Sequence, residues 1–323
     1  MNSTNKQRYF PWKDRPDNCG EAIWRDSANP IIGRNPIPAA LRIYNSAVVP
    51  YKDGYVAVLR ADYRDGMPHL HLGKSRDGIN WQIEHGQIVF ESRQGMPGVG
   101  AFAYDPRVTR IDDTFYITWC NGYHGPTIGV AYTKDFETFI QLENAFLPFN
   151  RNGVLFPKKI NGNFAMLSRP SDNGHTPFGD VFYSESPDMC YWGRHRHVLG
   201  TTKLWWESTK VGAGAVPIET PEGWLLIYHG VMNTCRGFVY SMGAALLDLE
   251  QPWKVLARGN KALMGPETDY EISGHVPNVL FPCAAVHEES SGRIAVYYGA
   301  ADTTTCLAYT TIKHLTDFIK ANS

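Results

Sequence analysis

Eight ionisable residues of this chain lie at the ends of short apolar stretches. They comprise three carboxylates, three guanidinium groups, one ammonium group and one imidazole: Asp62, Asp105, Asp302, Arg60, Arg151, Arg169, Lys210 and His229. A lone buried charge is costly unless it is paired with an opposite charge or holds a bound ion. We therefore interpret the set either as the closing salt bridges of a protein core or as a site that binds an anion.

The residue types favour phosphate as that anion. Arginine forks hold two phosphate oxygens at once and lysine supplies a movable point charge, so Arg151, Arg169 and Lys210 suit a phosphate pocket. A sugar-cleaving enzyme that inverts the anomeric carbon ordinarily needs a carboxylic acid and a second carboxylate that activates water. If phosphate is the nucleophile, only the acid is needed, and Asp105 is our candidate. His229, at a strand end, could be a satisfied core histidine.

A repeated pattern of strands must position these residues. Five turns each lead into an apolar strand with a polar end, at residues 52–62, 112–121, 161–169, 222–229 and 292–302. Another short strand precedes each segment and a further one follows it, while helical periodicity is nearly absent. The pattern predicts an all-β fold, a five-bladed β-propeller with a central active-site funnel. The innermost strands surround that funnel, so the polar ends should meet there, together with Asn45 and Ser46.

Four of the segments are followed by an acidic turn that runs into an aromatic residue. We interpret the four turn aspartates as structural; they are Asp77, Asp135, Asp188 and Asp248. The fifth segment should be completed by a strand and turn over residues 306–318.

Length and composition predict one catalytic domain. The chain has 323 residues, of which 43% are hydrophobic, and residues 30–323 form the predicted propeller. Residues 1–29 contain aromatic residues, prolines and a glycine, and they do not show the repeated strand pattern. We therefore expect an extension that wraps the propeller or a neighbouring subunit. A net charge of -1 provides no extended field for nucleic acid or an anionic membrane.

Several signals are missing from the sequence. The first residues contain no apolar core of signal-peptide length and no window is apolar enough to span a membrane, so we expect a cytoplasmic protein. The six cysteines are dispersed and are expected to be free thiols. No metal-ligand spacing is visible, so we expect no metal. The cofactor expectation is likewise none, with inorganic phosphate as the co-substrate.

Motifs in all five predicted blades resemble the β-mannoside phosphorylases of glycoside hydrolase family 130, over residues 30 to 315. The motifs are Asn45-Ser46, Ala103-Tyr104-Asp105-Pro106-Arg107, Phe149-Asn-Arg151-Asn, Ser168-Arg169-Pro-Ser, Thr209-Lys210-Val-Gly-Ala-Gly, Tyr228-His229-Gly and Tyr298-Gly-Ala-Ala-Asp302-Thr. The resemblance implies reversible, inverting phosphorolysis of a β-linked mannoside to α-mannose 1-phosphate. It also implies a homo-oligomer.

The resemblance further implies a role for each site residue. Asp105 would be the sole carboxylate acid and would act through the mannose 3-hydroxyl. Phosphate would be held by Arg151, Arg169, Lys210 and His229. The transferred mannose would be held by Asn45, Ser46, Arg60 and Asp62. The site of the departing sugar would be lined by Tyr104, His175, Tyr240, Phe281 and Asp302.

Two other functions remain open at this point. One is a β-mannosidase of the same fold, in which Asp62 or Asp302 would activate water. The other is a propeller that binds sugar without catalysis. For the leading hypothesis, a β-1,4-mannoside phosphorylase, the leaving sugar is N-acetylglucosamine or another mannose.

Overall fold

The computed structural model describes residues 9–92, 102–171 and 179–323, whose strands form five separate sheets. A short strand, β1 (Trp24–Arg25), precedes them. Blade I contains β2 (Ala40–Tyr51), β3 (Gly54–Tyr63), β4 (Pro68–Ser75) and β5 (Gln82–Gln87). Blade II contains β6 (Phe90–Glu91), β7 (Ala103–Ile111), β8 (Thr114–Asn121), β9 (Thr127–Thr133) and β10 (Phe139–Gln141). Blade III contains β11 (Asn150–Leu155), β12 (Phe164–Pro170), β13 (Val181–Ser186) and β14 (Gly193–Leu199).

The last two blades complete the ring. Blade IV contains β15 (Lys210–Ala213), β16 (Ile218–Thr220), β17 (Gly223–Thr234), β18 (Gly237–Leu247) and β19 (Val255–Arg258). Blade V contains β20 (Leu280–Glu288), β21 (Arg293–Ala300) and β22 (Thr304–Thr311), and β1 pairs with β22 as its outermost strand. The predicted five-bladed propeller is confirmed. Each predicted turn-and-strand segment forms the second strand of its blade, counted outward from the central axis.

The hydrophobic core lies between neighbouring blades. Five clusters of buried side chains join blade I to II, II to III, III to IV, IV to V and V back to I. Trp119, Trp224 and Tyr297 are among the largest fully buried side chains, and each belongs to one of these clusters. Because both faces of a blade are covered by its neighbours, its strands are apolar along most of their length. The inner ends of the strands are therefore held by a rigid frame.

The turn aspartates have the structural role predicted for them. Each accepts hydrogen bonds from the backbone N–H groups two and three residues further along the chain, at Asp77, Asp135, Asp188 and Asp248. These bonds satisfy backbone donors that the turn would otherwise leave unpaired.

The described residues also form two short α-helices, α1 (Asp269–Ile272) and α2 (Ile312–Ala321), and one turn of 3-10 helix at Trp205–Glu207. The sequence predicted a strand and turn over residues 306–318, but β22 ends at Thr311 and α2 follows. The Thr311 side chain caps this helix by accepting from the backbone of His314, and Leu315 and Ile319 are fully buried. The outer position of blade V is already occupied by β1, so the chain need not supply another strand there. No helix in the described ranges has the length and hydropathy to cross a membrane.

Residues 9–29 lie against blade V and close the ring. The Trp12 ring lies 5.3 Å from the Trp24 ring, and Trp24 pairs with Tyr309 of β22. Arg25 donates two hydrogen bonds to Glu271, of 2.8 and 2.9 Å. The boundary at residue 29 and contact with a neighbouring subunit remain predictions, and residues 1–8 lie outside the described ranges.

We expect the ion pair of Arg25 and Glu271 to stabilise this closure. The Glu271 side chain is fully buried and also accepts from the Tyr298 hydroxyl at 2.9 Å. Burial alone would raise the pKa of Glu271, but the hydrogen bond and charge of Arg25 lower it below its usual value. Glu271→Gln leaves Arg25 without its main partner and should reduce the free energy of unfolding by about 3 kcal/mol.

Urea denaturation measures this change. The matched control is Glu84→Gln, which removes a glutamate from the ion pair of Lys74 and Glu84, whose side chains are 54% and 49% exposed. Screening in water should limit that loss to about 1 kcal/mol or less. Equal losses in the two variants would contradict a special role for the closure.

Candidate active site

Residues from all five blades line one cavity of about 740 Å³. Ten of the fourteen predicted site residues line it: Asn45, Arg60, Tyr104, Asp105, Arg151, Arg169, Lys210, Tyr240, Phe281 and Asp302. Three others, Ser46, Asp62 and His229, are buried and do not line the cavity. The last, His175, lies outside the described residues. The roles of all fourteen remain predictions. The structure does bring most of the predicted polar strand ends to this one cavity.

Bulges in the innermost strands aim these side chains into the cavity. The strand register shifts between Tyr44 and Ala47 in blade I and between Tyr104 and Arg107 in blade II. Similar shifts occur in the first strands of blades III and V. The bulges of blades I to III contain Asn45, Asp105 and Asn152, with φ angles of 49°, 52° and 54°. Asparagine and aspartate tolerate this left-handed backbone better than most residues, which explains their presence here.

The Asp105 carboxylate is held by one of its two oxygens. Its Oδ1 accepts from Asn45 Nδ2 at 2.7 Å and from Arg60 Nη1 at 2.8 Å. Within the described ranges, Oδ2 makes no hydrogen bond, and the side chain is 12% exposed. The arrangement leaves Oδ2 as the oxygen that can exchange a proton with a molecule in the cavity.

Asp62 lies behind Arg60 and fixes it. Its Oδ1 accepts from Arg60 Nε at 3.0 Å, and its Oδ2 accepts from the Tyr44 hydroxyl at 2.7 Å. The Arg60 guanidinium also lies between two aromatic rings, 4.3 Å from the centre of Tyr44 and 5.0 Å from that of Tyr104. Burial disfavours the charge on Arg60, but the neighbouring Asp105 carboxylate raises its pKa well above the usual value. Arg42 Nη2 lies 3.5 Å from Asp62 Oδ2, so blades I and II present two aspartates balanced by two arginines.

Asn45 and Ser46 occupy different depths. A β-carbon on Gly299 would lie 1.9 Å from Asn45 Oδ1, so only glycine leaves room for this side chain. Ser46 points away from the cavity, with its hydroxyl 3.2 Å from that of Thr305 in blade V. Asn45 therefore contacts the site directly, whereas Ser46 joins two blades behind it.

Blades III and IV contribute three cations with no carboxylate partner. Arg151 and Arg169 are opposite each other on paired strands, and Lys210 begins the first strand of blade IV. Within residues 9–92, 102–171 and 179–323, none of the three forms a salt bridge. Arg151 donates to the Ser171 hydroxyl at 2.9 Å, and Lys210 Nζ lies 4.4 Å from the centre of the Phe238 ring. Since unpaired cations that are wholly or partly buried are costly, such a pocket could accommodate an anion.

The mutual repulsion of these cations changes their proton affinities. Burial lowers the pKa of Lys210 to about 8, and the charges of Arg169 and Arg151 contribute to the shift. Burial also lowers the pKa of Arg169, which is 5% exposed and whose Nε has no hydrogen-bond partner among the described residues. A bound dianion would counter the repulsion among these three cations, because it adds negative charge beside them.

His229 lies behind Arg169. Its Nε2 is 2.9 Å from Arg169 Nη1, and the histidine is fully buried. Burial lowers the pKa of His229 well below its usual value, helped by the charge of Arg169. An arginine can only donate, so Nε2 of the neutral imidazole accepts and the proton lies on Nδ1. In this position His229 orients Arg169, and a direct contact with phosphate remains a prediction.

Asp302 and three aromatic residues complete the wall. Asp302 has a left-handed backbone, with a φ of 46°, and lines the cavity. Burial raises its pKa to about 7; Arg60 opposes the shift, and the Asp105 carboxylate adds to it. Tyr104, Tyr240 and Phe281 supply flat apolar surface of the kind that suits a sugar ring.

Several lining residues were not predicted from the sequence. They are Asn152, Ser171, Ser208, Thr209, Asn233, Phe238, Val276 and Val279. Asn152 could have been found, because an asparagine beside Arg151 at a strand start is a typical bulge residue. Phe238 reaches the cavity because the β17–β18 hairpin continues to the pair Thr234 and Gly237, beyond the predicted strand end at His229. The extent of that hairpin had no clear signal in the sequence.

Comparison with known proteins agrees with this architecture. The model of glycoside hydrolase family 130, described as beta-1,4-mannooligosaccharide phosphorylase, matches residues 3–321. A beta-1,4-mannooligosaccharide phosphorylase of Ruminococcus albus is 54% identical over 97% of this chain and 96% of its own length. A beta-1,2-mannobiose phosphorylase of Listeria innocua is 36% identical over 75% of this chain and 66% of its own.

Solved structures show the same fold. The structure of a beta-1,2-mannobiose phosphorylase from Listeria innocua in complex with beta-1,2-mannobiose superposes with a TM-score of 0.83 at 27% identity, covering 93% of this chain and 99% of the other. The family model spans nearly the whole chain, and a relative with more than half of its residues identical is matched from end to end. The chain belongs to glycoside hydrolase family 130.

Proposed function

We propose that this protein is an inverting phosphorylase that cleaves a β-1,4-linked mannoside with inorganic phosphate and releases α-mannose 1-phosphate. The observation that carries the proposal is the group of three cations, Arg151, Arg169 and Lys210, which share one cavity with Asp105 and have no carboxylate partner among the described residues. Family membership and the Ruminococcus albus relative support the mannoside and the linkage.

The bond changes balance without a second catalytic carboxylate. Phosphate, held by the cations, attacks C1 of mannose as the bond from C1 to the bridging oxygen breaks. Asp105 supplies the proton to the departing oxygen, through the mannose 3-hydroxyl as the family likeness suggests. The hydrogen phosphate dianion loses its own proton as it becomes the ester, so this proton can restore Asp105. Attack on the face opposite the leaving group converts the β-linkage to an α-phosphate.

The positions of the other carboxylates favour phosphate over water as the nucleophile. Asp62, a candidate base of the hydrolytic alternative, is occupied by Arg60 and the Tyr44 hydroxyl and does not line the cavity. Asp302 lines the cavity, and we propose that it binds sugar hydroxyls. Its raised pKa, about 7, allows it either to donate or to accept a hydrogen bond near neutral pH.

The chemistry also suggests the setting in which the protein works. With phosphate as co-substrate and Asp105 as acid, the reaction needs no metal or organic cofactor. The product is a charged sugar phosphate that does not cross a membrane unaided, so we propose a cytoplasmic location. All six cysteines are free thiols, which is compatible with a reducing compartment. We also propose a homo-oligomer, on the basis of the family likeness alone.

The deciding experiment supplies the purified protein with β-1,4-mannobiose or mannosyl-N-acetylglucosamine, with and without phosphate. We expect α-mannose 1-phosphate to form only when phosphate is present, because the cation pocket replaces a water-activating base. Proton and phosphorus NMR identify the product and its anomer. Equal release of free mannose in both tubes would instead support the hydrolase, and binding of mannose without turnover would support a sugar-binding propeller.

Asp105→Asn tests the proposed acid. The amide retains the shape of the carboxyl group but cannot supply the proton, so kcat should fall by about 10² to 10⁴. Asp135→Asn is the matched control, since Asp135 is a turn aspartate outside the cavity, and its kcat should be unchanged. Unchanged turnover in Asp105→Asn would rule out this residue as the acid.

Phosphate binding should weaken as the pH rises through the pKa of Lys210, about 8. Below this pH the ammonium group is charged and attracts the dianion, and above it the charge is lost. The KM for phosphate should therefore increase above about pH 8, by up to about tenfold per pH unit. Initial rates between about pH 7 and 9.5 measure this dependence, with the KM for the mannoside as the internal control.

Lys210→Met identifies the group responsible. Losing one charge-assisted hydrogen bond of about 1.5 to 3 kcal/mol should raise the KM for phosphate by about 10- to 150-fold at pH 7. The increase above about pH 8 should then disappear. If the variant keeps the same rise with pH, another group controls phosphate binding.

A further inference from the structure

Arg107 is a buried cation outside the cavity, two residues beyond Asp105. It is fully buried in β7, the innermost strand of blade II, and does not line the active site. Its guanidinium donates only to backbone carbonyl groups, and within the described parts of the chain it forms no salt bridge. A buried positive charge with no negative partner is destabilising, so packing alone does not account for Arg107 in the core.

The carbonyl groups that accept from Arg107 belong to three blades. Nη1 donates to the carbonyl oxygens of Asp105 at 3.1 Å and Pro106 at 3.0 Å, both in blade II. Nε donates to Gly214, which directly follows the strand that Lys210 begins, and Nη2 donates to Pro282 of blade V at 3.4 Å. One side chain thus links the backbone of the proposed acid to the strand carrying a phosphate-binding cation and to a third blade.

Close backbone approach at this point leaves little freedom. A β-carbon on Gly214 would lie 2.6 Å from the carbonyl oxygen of Ile227 and 2.7 Å from Pro282 Cγ. Only glycine therefore allows this carbonyl to face Arg107 at the junction of blades IV and V. The Gly214 carbonyl group that accepts from Arg107 is therefore fixed by close packing.

Asp105 has a φ of 52° at a bulge, a left-handed backbone that aspartate tolerates better than most residues but adopts less readily than an extended one. The hydrogen bonds of Arg107 help to hold it there. The hydrogen bond from Arg107 to the Asp105 carbonyl oxygen orients the peptide that follows. In that orientation Oδ1 meets Asn45 and Arg60, and Oδ2 remains free for proton transfer.

We propose that Arg107 is a positioning residue for the reaction: it holds Asp105 at a set place relative to the phosphate-binding strand of blade IV. The proposal rests on the proposed phosphorylase function. It assigns Arg107 no contact with sugar or phosphate. Its loss should therefore reduce the chemical step and leave the binding of both substrates nearly unchanged.

Arg107→Lys is the main test, because lysine keeps the charge but cannot reach three blades with one ammonium group. We expect kcat to fall by about 10²-fold, the cost of misplacing a reacting group by about 1 Å. The KM values for phosphate and mannoside should change by less than about threefold. Phosphate titration by calorimetry counts the folded molecules, so kcat is calculated per folded site and partial unfolding does not imitate the effect.

Two further variants complete the test. Arg107→Gln removes the buried charge but keeps a planar donor, and it should show the same division between kcat and KM. Arg110→Lys is the matched control: Arg110 is on the same strand, exposed, and donates to the Asp112 carbonyl, so its kinetics should be unchanged. In the Asp105→Asn background, Arg107→Lys should cause little additional loss, because it acts through Asp105.

The outcomes separate this proposal from the proposed function. Absence of phosphorolysis in the unaltered protein would remove both. If the unaltered protein is active, an unchanged kcat per folded Arg107→Lys molecule would overturn the positioning role alone. A large rise in the KM for phosphate at constant kcat would also overturn it, since it would show that the Arg107 charge contributes to phosphate binding. A full additional loss in the Asp105→Asn background would do the same.

Discussion

Positive charge without a carboxylate partner is the constraint on which this site depends. Arg151, Arg169 and Lys210 lie in one cavity where burial and mutual repulsion lower the pKa of Lys210 and of Arg169. The folded chain tolerates this because the rigid faces of the blades hold the three side chains together. A bound dianion would offset this electrostatic cost, and this supports the proposal that phosphate rather than water is the nucleophile.

The two halves of the cavity have opposite electrostatic designs. On blades I and II, Arg60 and Arg42 together balance Asp105 and Asp62, so the carboxyl groups are held in place with little net charge. On blades III and IV the charge is left uncompensated. Under the proposed function, this separation would place an acid on one side of a sugar and the nucleophile on the other, which is the geometry of an inverting displacement. Arg107 is at the junction of the two halves, with donors to blades II, IV and V.

Much of the fold could be predicted from the sequence because a blade is a local unit. Its strands are consecutive, so apolar runs and turn residues such as Asp77 and Asp188 indicate it without long-range information. The end of blade V could not be predicted this way. Whether residues 312–321 form a strand or a helix depends on β1, almost three hundred residues earlier in the chain, which occupies the outer edge of that sheet.

The sequence by itself determined that the polar ends of repeated strands face a common axis, and ten of the fourteen predicted site residues line one cavity there. Only the tertiary structure decided how deep each one lies. Asp62, His229 and Ser46 have the same strand-end placement as the lining residues, yet they support their neighbours from behind. The physical reason is that depth depends on bulges and on contacts between blades, and a one-residue change in register turns a side chain from the cavity to the layer behind it.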